Sequence, residues 1–302
     1  MNQKPKIAVI GIGRWGKNLV NEFSKQDVVI KYAFSKGNLE NSEWLKENHS
    51  SINIAKSYEE ILEDEEINSI IVATPIPTHF SIAKKALEAG KNVFVEKPGT
   101  ETSSEMLELH ELALRKKKVL MVGYTFTYHP IFIFLKKNLA GKKIISLDFE
   151  WNKWGSFTED IILNLFTHDL SIIKSLGEGI LIPSVEFKAK KVFGKNHVTN
   201  FSCKTKNGTE INSHINRVST DKRKAVTLVT EDTIYSWIND SLSFSSTDFI
   251  VKEENISKEK ALTVETRNFT QSITDGVYPS TDGRFAAEIL DIVSYIQEKL
   301  PH

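Results

Sequence analysis

The chain has 302 residues, with 39 Lys plus Arg against 39 Asp plus Glu, so its formal net charge is zero. That balance argues against a nucleic-acid binder, which needs surplus positive charge to displace counterions from phosphates, and against a polybasic membrane anchor. Hydrophobic residues make up 40% and charged residues 26%, a globular balance too apolar for disorder. The longest apolar runs, such as Ile131–Leu135, fall far short of a bilayer span. The opening MNQKPK has no signal-peptide core, and the lone Cys203 forms neither an internal disulfide nor a cysteine-rich zinc site. These features predict a soluble, cytoplasmic protein of about two domains that needs no metal.

The first 120 or so residues alternate apolar runs with helix-like segments. Lys6–Ile10 reads as a strand, followed by a glycine turn and a helix whose apolar face holds Leu19, Val20 and Phe23. Val28–Phe34 is the next strand. Ser57 with Glu60 forms a capping-box pattern that opens a helix. Ser69–Ala73 reads as a buried strand, Thr78–Ala89 as a helix closed by Gly90, and Asn92–Val95 as a strand. Thr102 with Glu105 starts a helix to about Lys116, and Lys118–Val122 is a further strand. This alternation predicts βαβ units and a parallel sheet, a Rossmann-type α/β domain over residues 1–122.

After Gly123 the rhythm changes. A helix is predicted over Pro130–Leu139 and another over Leu163–Leu176. Ile144–Trp151, Ser184–Phe193, Val198–Lys204, Glu210–Val218, Arg223–Thr230, Thr233–Trp237 and Leu242–Ile250 read as strands. Asn207-Gly208 is a strong hairpin turn and Glu231-Asp232 a weaker one. Glu265–Ile273 and Phe285–Leu300 read as helices. Residues 123–302 are therefore expected to form an α+β domain with a mostly antiparallel sheet. The boundary carries no Gly/Ser-rich spacer, so the halves are expected to pack.

Gly11-Ile12-Gly13-Arg14-Trp15-Gly16 is a complete G-x-G-x-x-G between a predicted strand and a predicted helix. In that context the first glycine permits the turn and the second lets backbone approach a pyrophosphate. The third lets helix and strand pack closely, and the helix N-terminus attracts phosphate charge. A carboxylate after the second strand would accept from the ribose hydroxyl of NAD. Here Ser35-Lys36 follows instead. A hydroxyl and an ammonium suit a 2′-phosphate, so NADP(H) is favoured, with NAD(H) possible. As an alternative, Lys36 is a solvated loop lysine.

Thr74-Pro75-Ile76-Pro77-Thr78-His79, followed by Glu96-Lys97-Pro98, resembles the oxidoreductases grouped as glucose–fructose oxidoreductase, inositol dehydrogenase and rhizopine catabolism proteins (Gfo/Idh/MocA). Val122-Gly123-Tyr124-Thr125-Phe126-Thr127-Tyr128-His129-Pro130 is similar to the segment with which such proteins leave their Rossmann domain. Ala261-Leu262, Glu265, Phe269, Ile273, Gly276, Pro279 and Asp282-Gly283 are similar to their C-terminal signature. Thr167-His168-Asp169-Leu170-Ser171 and Ser219-Thr220-Asp221-Lys222-Arg223-Lys224 look most like members acting on nucleotide-linked sugars.

The resemblance implies an NAD(P)-dependent enzyme that moves hydride between nicotinamide and a sugar alcohol or ketone. It implies that Lys97 polarises the reacting oxygen, where positive charge stabilises a developing alkoxide. On pattern alone, Lys97 reads as a surface lysine with Glu96 as its ion-pair partner. Pro98 fixes the loop, with a cis bond as one route. His168 matches the family's acid/base position, and histidine suits proton transfer near neutrality. The family's Asp four residues earlier is Asn164 here, which can orient a ligand but adds no charge.

The cofactor set is Gly11, Gly13, Arg14, Trp15, Gly16, Ser35, Lys36, Thr74, Pro75, His79, Glu96 and Lys97, with packing or capping as the other role for His79. Tyr124, Phe126, Tyr128 and His129 join Asn164 and His168 as substrate-lining candidates, although aromatic residues also fill cores. Asp169 is read as a helix-surface residue, Trp151 and Trp154 as packing or subunit interface. A homodimer or homotetramer is expected, with no nucleic-acid or membrane partner. The alternatives are a cyclitol dehydrogenase, an imine or pyrrole reductase on the same fold, or an NAD(P)-sensing protein without turnover.

Overall fold

The computed structural model describes residues 4–36, 39–155, 160–192, 194–246, 251–253 and 256–299. Its first eleven elements are β1 (Lys6–Ile10), α1 (Arg14–Phe23), β2 (Val29–Phe34), α2 (Leu39–Asn48), β3 (Asn53–Ile54), α3 (Tyr58–Glu63), β4 (Ile67–Val72), α4 (His79–Glu88), β5 (Asn92–Glu96), α5 (Ser103–Lys116) and β6 (Leu120–Gly123). The strands form one sheet in the order β3-β2-β1-β4-β5-β6. Every neighbouring pair is parallel. This is the doubly wound order, with its switch point between β1 and β4. The central strands are covered on both faces, which is why Ile7–Ile10 and Ile70–Val72 are continuous apolar runs at 2% exposure or less.

Local chemistry sets the helix ends. Thr102 and Glu105 make the full reciprocal capping box at the start of α5. Ser57 caps α3 by accepting from Glu60 N, but the Glu60 carboxylate reaches back to Lys56 N. α4 is preceded by a 3₁₀ turn at Ile76–Thr78, so it starts one residue later than the sequence pattern suggested. Two elements carry no sequence pattern. α2 buries only Leu45 among its ten residues, and β3 is two exposed residues paired to β2.

The later elements are α6 (Pro130–Asn138), β7 (Ile144–Trp154), α7 (Thr167–Ser175), β8 (Glu186–Val192), β9 (Lys195–Lys204), β10 (Glu210–Asn216), β11 (Val218–Thr230), β12 (Thr233–Ile238), β13 (Ser241–Ser246), β14 (Val251–Glu253), α8 (Ala261–Asp275) and α9 (Gly283–Lys299). Strands β7 to β14 form an eight-stranded sheet in the order β14-β13-β12-β11-β7-β10-β9-β8. All its pairs are antiparallel except β10 with β7. Both predicted turns join antiparallel neighbours, and a third lies at Asn239-Asp240, where Asn239 adopts φ 50°. The expected ends at Phe193, residues 247–250 and Leu300 lie outside the described residues. Among the described residues, no helix is long and apolar enough to cross a membrane.

Contacts divide the chain into two compact units: Met1–Thr125 with Lys260–Asp291, and Phe126–Glu259 with Ile292–His302. Residues 260–291 thus group with the Rossmann sheet rather than with the remainder of the 123–302 stretch. The physical reason is an aromatic cluster. Phe269 of α8 meets Phe23 of α1 at 6.0 Å and Phe94 of β5 at 5.7 Å, and Phe23 meets Phe94 at 5.8 Å. All three pairs are edge-to-face, a geometry that adds roughly 0.5–1.5 kcal/mol each beyond area burial.

Candidate active site

The glycine turn follows β1 at the carboxyl edge of the parallel sheet. Gly11 has φ +96°, and a Cβ there would meet Ala73 O at 2.6 Å. A Cβ on Gly16 would meet Gly11 O at 1.9 Å. These two positions are closed by the protein itself. Gly13 differs: it is exposed, and a Cβ there would meet nothing within 4 Å. Gly13 also caps α1 without a side-chain hydrogen bond, and the first turn of α1 holds no acidic residue. Backbone N–H groups at a helix start, beside open space and free of acidic side chains, fit a dinucleotide pyrophosphate. Arg14 and Trp15 are exposed on that first turn, Trp15 at 42%. Ser35, half-buried, and Lys36, exposed, directly follow β2 at the same edge.

Thr74 and Pro75 follow β4, and Thr78 Oγ1 donates to Pro75 O at 2.7 Å. His79 is 1% exposed. Its Nε2–H donates to Thr74 O at 2.7 Å, which fixes the tautomer. Burial lowers its pKa to about 4, against the pull of the Thr74 and Gly99 backbone and with the help of the Lys97 charge. His79 therefore braces the loop after β4 from within and does not present its ring to a ligand, a correction to its cofactor role.

Lys97 is half-buried and the Lys97–Pro98 peptide is cis. Glu96, at the end of β5, is buried, and burial raises its carboxyl toward neutrality while the Trp15 indole N–H, the Lys97 charge and the Lys97 backbone oppose that. Glu265 on α8 is wholly buried. Burial and the Glu96 charge raise it well above the ordinary carboxylate range, and Thr125 Oγ1 donates to it at 3.0 Å. Tyr124 is also completely buried, edge-on to Phe285 at 5.7 Å, so it fills the core of this unit rather than lining a cleft.

The second unit assembles a different cluster. His168 is 9% exposed; its ring stacks on Trp151 at 5.7 Å with 2° between planes and meets the Phe126 ring edge-on at 4.8 Å. Lys224, register partner of Trp151 across β11 and β7, points its ammonium into a box of aromatic rings. Its Nζ lies directly over Phe126, 4.9 Å from Trp151 and 4.8 Å from Trp237. That Nζ is shut off from solvent although the residue as a whole is half-buried. Burial holds its pKa well below the usual lysine value, with the charges of Asp169 and Asp240 opposing.

Asp169 is 0% exposed and accepts from Ser213 Oγ at 2.7 Å. Burial pushes it up to about 7, against the Ser213 bond and the Lys224 charge. It is not the helix-surface residue the sequence suggested. Lys224, Asp169 and Trp237 were absent from the predicted site. Asp169 and Lys224 do lie in the two segments that resemble members acting on nucleotide-linked sugars, but nothing in the sequence joins them to Trp237.

Asn164 is half-buried in a widened π turn, Ile162–Phe166, that leads into α7. Asn164 and His168 are thus separated by this wider turn and not by one regular α-turn. His129 Nδ1 accepts from Ile131 N at 3.2 Å and so caps α6, while its ring packs on Trp237 at 4.7 Å. Burial lowers its pKa to about 4, helped by the Lys224 charge. Tyr128 is 5% exposed. The packing on Trp237 makes His129 part of the wall of the aromatic box.

Residues 5–124 match the family model described as "Oxidoreductase family, NAD-binding Rossmann fold" (GFO_IDH_MocA). The scyllo-inositol 2-dehydrogenase (NAD(+)) of Bacillus subtilis is 30% identical over 151 residues, 48% of this chain and 42% of that protein. The NADP(+) enzyme IolW of the same organism is 30% identical over 135 residues, 45% of this chain and 37% of that protein. The UDP-N-acetylglucosamine 3-dehydrogenase of Acidithiobacillus ferrooxidans is 29% identical over 119 residues, 35% of each chain. The matches thus span under half the length of these relatives. The solved structure of that last enzyme superposes with TM-score 0.88 at 21% identity, covering 98% of this chain and 97% of that one, which establishes a shared fold. Over residues 5–124 the chain is thus similar to the NAD-binding Rossmann segment of the Gfo/Idh/MocA oxidoreductases.

Proposed function

We propose that the protein is an NAD(P)-dependent oxidoreductase acting on a secondary alcohol or ketone of a sugar, with nucleotide-linked sugars as the preferred class and NADP(H) as the preferred cofactor. One observation carries this reading: Gly13 opens onto free space at the bare N-terminus of α1, on the same sheet edge as Lys97. When bound there, the cofactor supplies or takes up the hydride. Gly13 and the first turn of α1 hold the pyrophosphate, and Ser35 with Lys36 meets the ribose. Lys97 polarises the substrate oxygen. His168, its ring held by Trp151 and Phe126, exchanges the proton. The name of the UDP-sugar relative supports the substrate class.

A second reading, a cyclitol dehydrogenase, is favoured by the two scyllo-inositol relatives. The deciding experiment incubates purified protein with NADP(H) or NAD(H) and separate panels of UDP-sugars, inositols and free aldoses, following nicotinamide absorbance. Turnover confined to UDP-sugars and reduced at least about a hundredfold in Lys97→Ala supports the first reading. Turnover confined to inositols selects the second. Lys97→Ala turning over the best substrate at the wild-type rate rejects the assigned role of Lys97.

A further inference from the structure

The first unit buries two carboxyl groups that feel each other's charge, and the reaction as assigned uses neither. Glu96 ends β5, and Glu265 comes from α8, far along the chain. Glu96 Oε1 and Glu265 Oε1 are both enclosed and make no hydrogen bond among the described residues. Space for them is built in. A Cβ on Gly123 would press within 3.2 Å of Glu96 Oε1 and 2.9 Å of the Phe94 ring. The groups that face the pair are few: the Trp15 indole N–H and the Lys97 charge on Glu96, and the Thr125 hydroxyl on Glu265. Nearby His79 is neutral. Two carboxylates in one dry space do not readily both ionise; Glu265 keeps its proton, and Glu96 is the member that can give one up.

Trp15 belongs to the glycine turn, and Lys97 adjoins Glu96 in the chain. The pair therefore touches the cofactor turn on one side and the reacting position on the other. We infer that Glu96 and Glu265 form a carboxyl pair that answers the charge of the nicotinamide, releasing a proton when the oxidised cofactor binds and keeping it when the reduced cofactor binds. The oxidised ring is cationic and the reduced ring neutral, so only the former favours an ionised carboxylate nearby. The proton goes to solvent. No bond to carbon forms in this step, and no electrons move. Both glutamates are positioning residues in this role. The inference rests on the proposed cofactor reading.

The test is titration calorimetry with NADP⁺ and with NADPH, each in two buffers of different ionisation heat, on the wild type and on Glu96→Gln and Glu265→Gln. At neutral pH the wild type is expected to release roughly half a proton per oxidised cofactor bound and almost none with the reduced form. Glu96→Gln abolishes that difference and Glu265→Gln reduces it. Equal proton release for both cofactor forms, or an unchanged difference in Glu96→Gln, overturns the inference. Should Glu96→Gln not fold, the wild-type affinities decide. The NADP⁺ affinity is expected to rise with pH across neutrality, from about pH 6 to about pH 8, and the NADPH affinity to stay flat; parallel behaviour overturns the pair. No binding of either cofactor overturns the cofactor reading itself, and the inference with it.

Discussion

Gly16 and Gly11 are packed so closely that a Cβ on Gly16 would sit 1.9 Å from the Gly11 carbonyl oxygen. The first and third glycines of the turn are thus demanded by the fold, while nothing among the described residues crowds Gly13. This separates folding from binding. Gly16→Ala is expected to lower stability by about 2 kcal/mol or more, because backbone must move to admit the methyl group. Gly13→Ala is expected to melt like the wild type and to lose about tenfold or more in cofactor affinity. Thermal melts and cofactor titrations on the two variants check both outcomes. A Gly13→Ala protein with wild-type affinity removes the pyrophosphate from this position.

Lys36 is exposed directly after β2, and its sequence neighbours are Ser35 and Gly37 rather than a carboxylate. An ammonium there recognises a 2′-phosphate by charge and gains nothing from a 2′-hydroxyl. Lys36→Ala is expected to weaken NADPH by about tenfold and leave NADH within about twofold. Raising the salt concentration should shrink the NADPH preference of the wild type, since the contact is exposed. Equal losses for both cofactors would place the 2′-phosphate elsewhere.

The sequence made the Rossmann half legible because its signals are local. A glycine turn, two caps and strands buried on both faces each occupy a few consecutive residues. α2 was invisible because only Leu45 of LENSEWLKEN is buried, so no apolar face marks it. The aromatic box was invisible for another reason. Trp151, Lys224 and Trp237 are brought together by strand register, with Phe126 from a 3₁₀ turn and Asp169 from α7, and register is not written in any one segment. Glu265 and Phe269 joining the first unit is a long-range event of the same kind. Tyr124, His79 and His129 carry side chains that suit a ligand site; burial reveals Tyr124 and His79 as framework, and the α6 cap and the packing on Trp237 reveal His129.

His79 gives the chain a testable response to acid. The unfolded chain takes up a proton on this imidazole near its ordinary pKa of 6.5, while the buried ring refuses it until about 4. Between those values the unfolded state binds more protons, so the His79 contribution to stability is complete above the upper value and is lost as pH falls toward the lower one. The full loss is on the order of 3 kcal/mol. Other buried groups titrate in the same window, so the measurement is a difference. The stability gap between wild type and His79→Gln is expected to be large at neutral pH and to narrow steadily on acidification. Urea titrations across the window check it, and a gap that stays constant refutes the neutral, Thr74-bonded ring.

Lys224 and Asp169 should behave as one unit. The Lys224 ammonium has its cation–π contacts with Phe126, Trp151 and Trp237, and its carboxylate counter-charge comes from Asp169 and Asp240. Removing one member leaves the other buried without its closest compensation, whereas removing both leaves two neutral groups of similar volume. Asp169→Asn keeps an acceptor for Ser213 Oγ but not the charge, and is expected to cost about 2–4 kcal/mol. Lys224→Met keeps the length of the chain inside the box and is expected to cost about 1–2 kcal/mol, because a thioether packs well against aromatic rings. The double variant should be less destabilised than the two singles added together, by about 1–3 kcal/mol. Denaturant titrations of the four proteins yield that coupling directly. Strict additivity would mean that the two groups do not sense each other, and Lys224 would then owe its place to the aromatic rings alone.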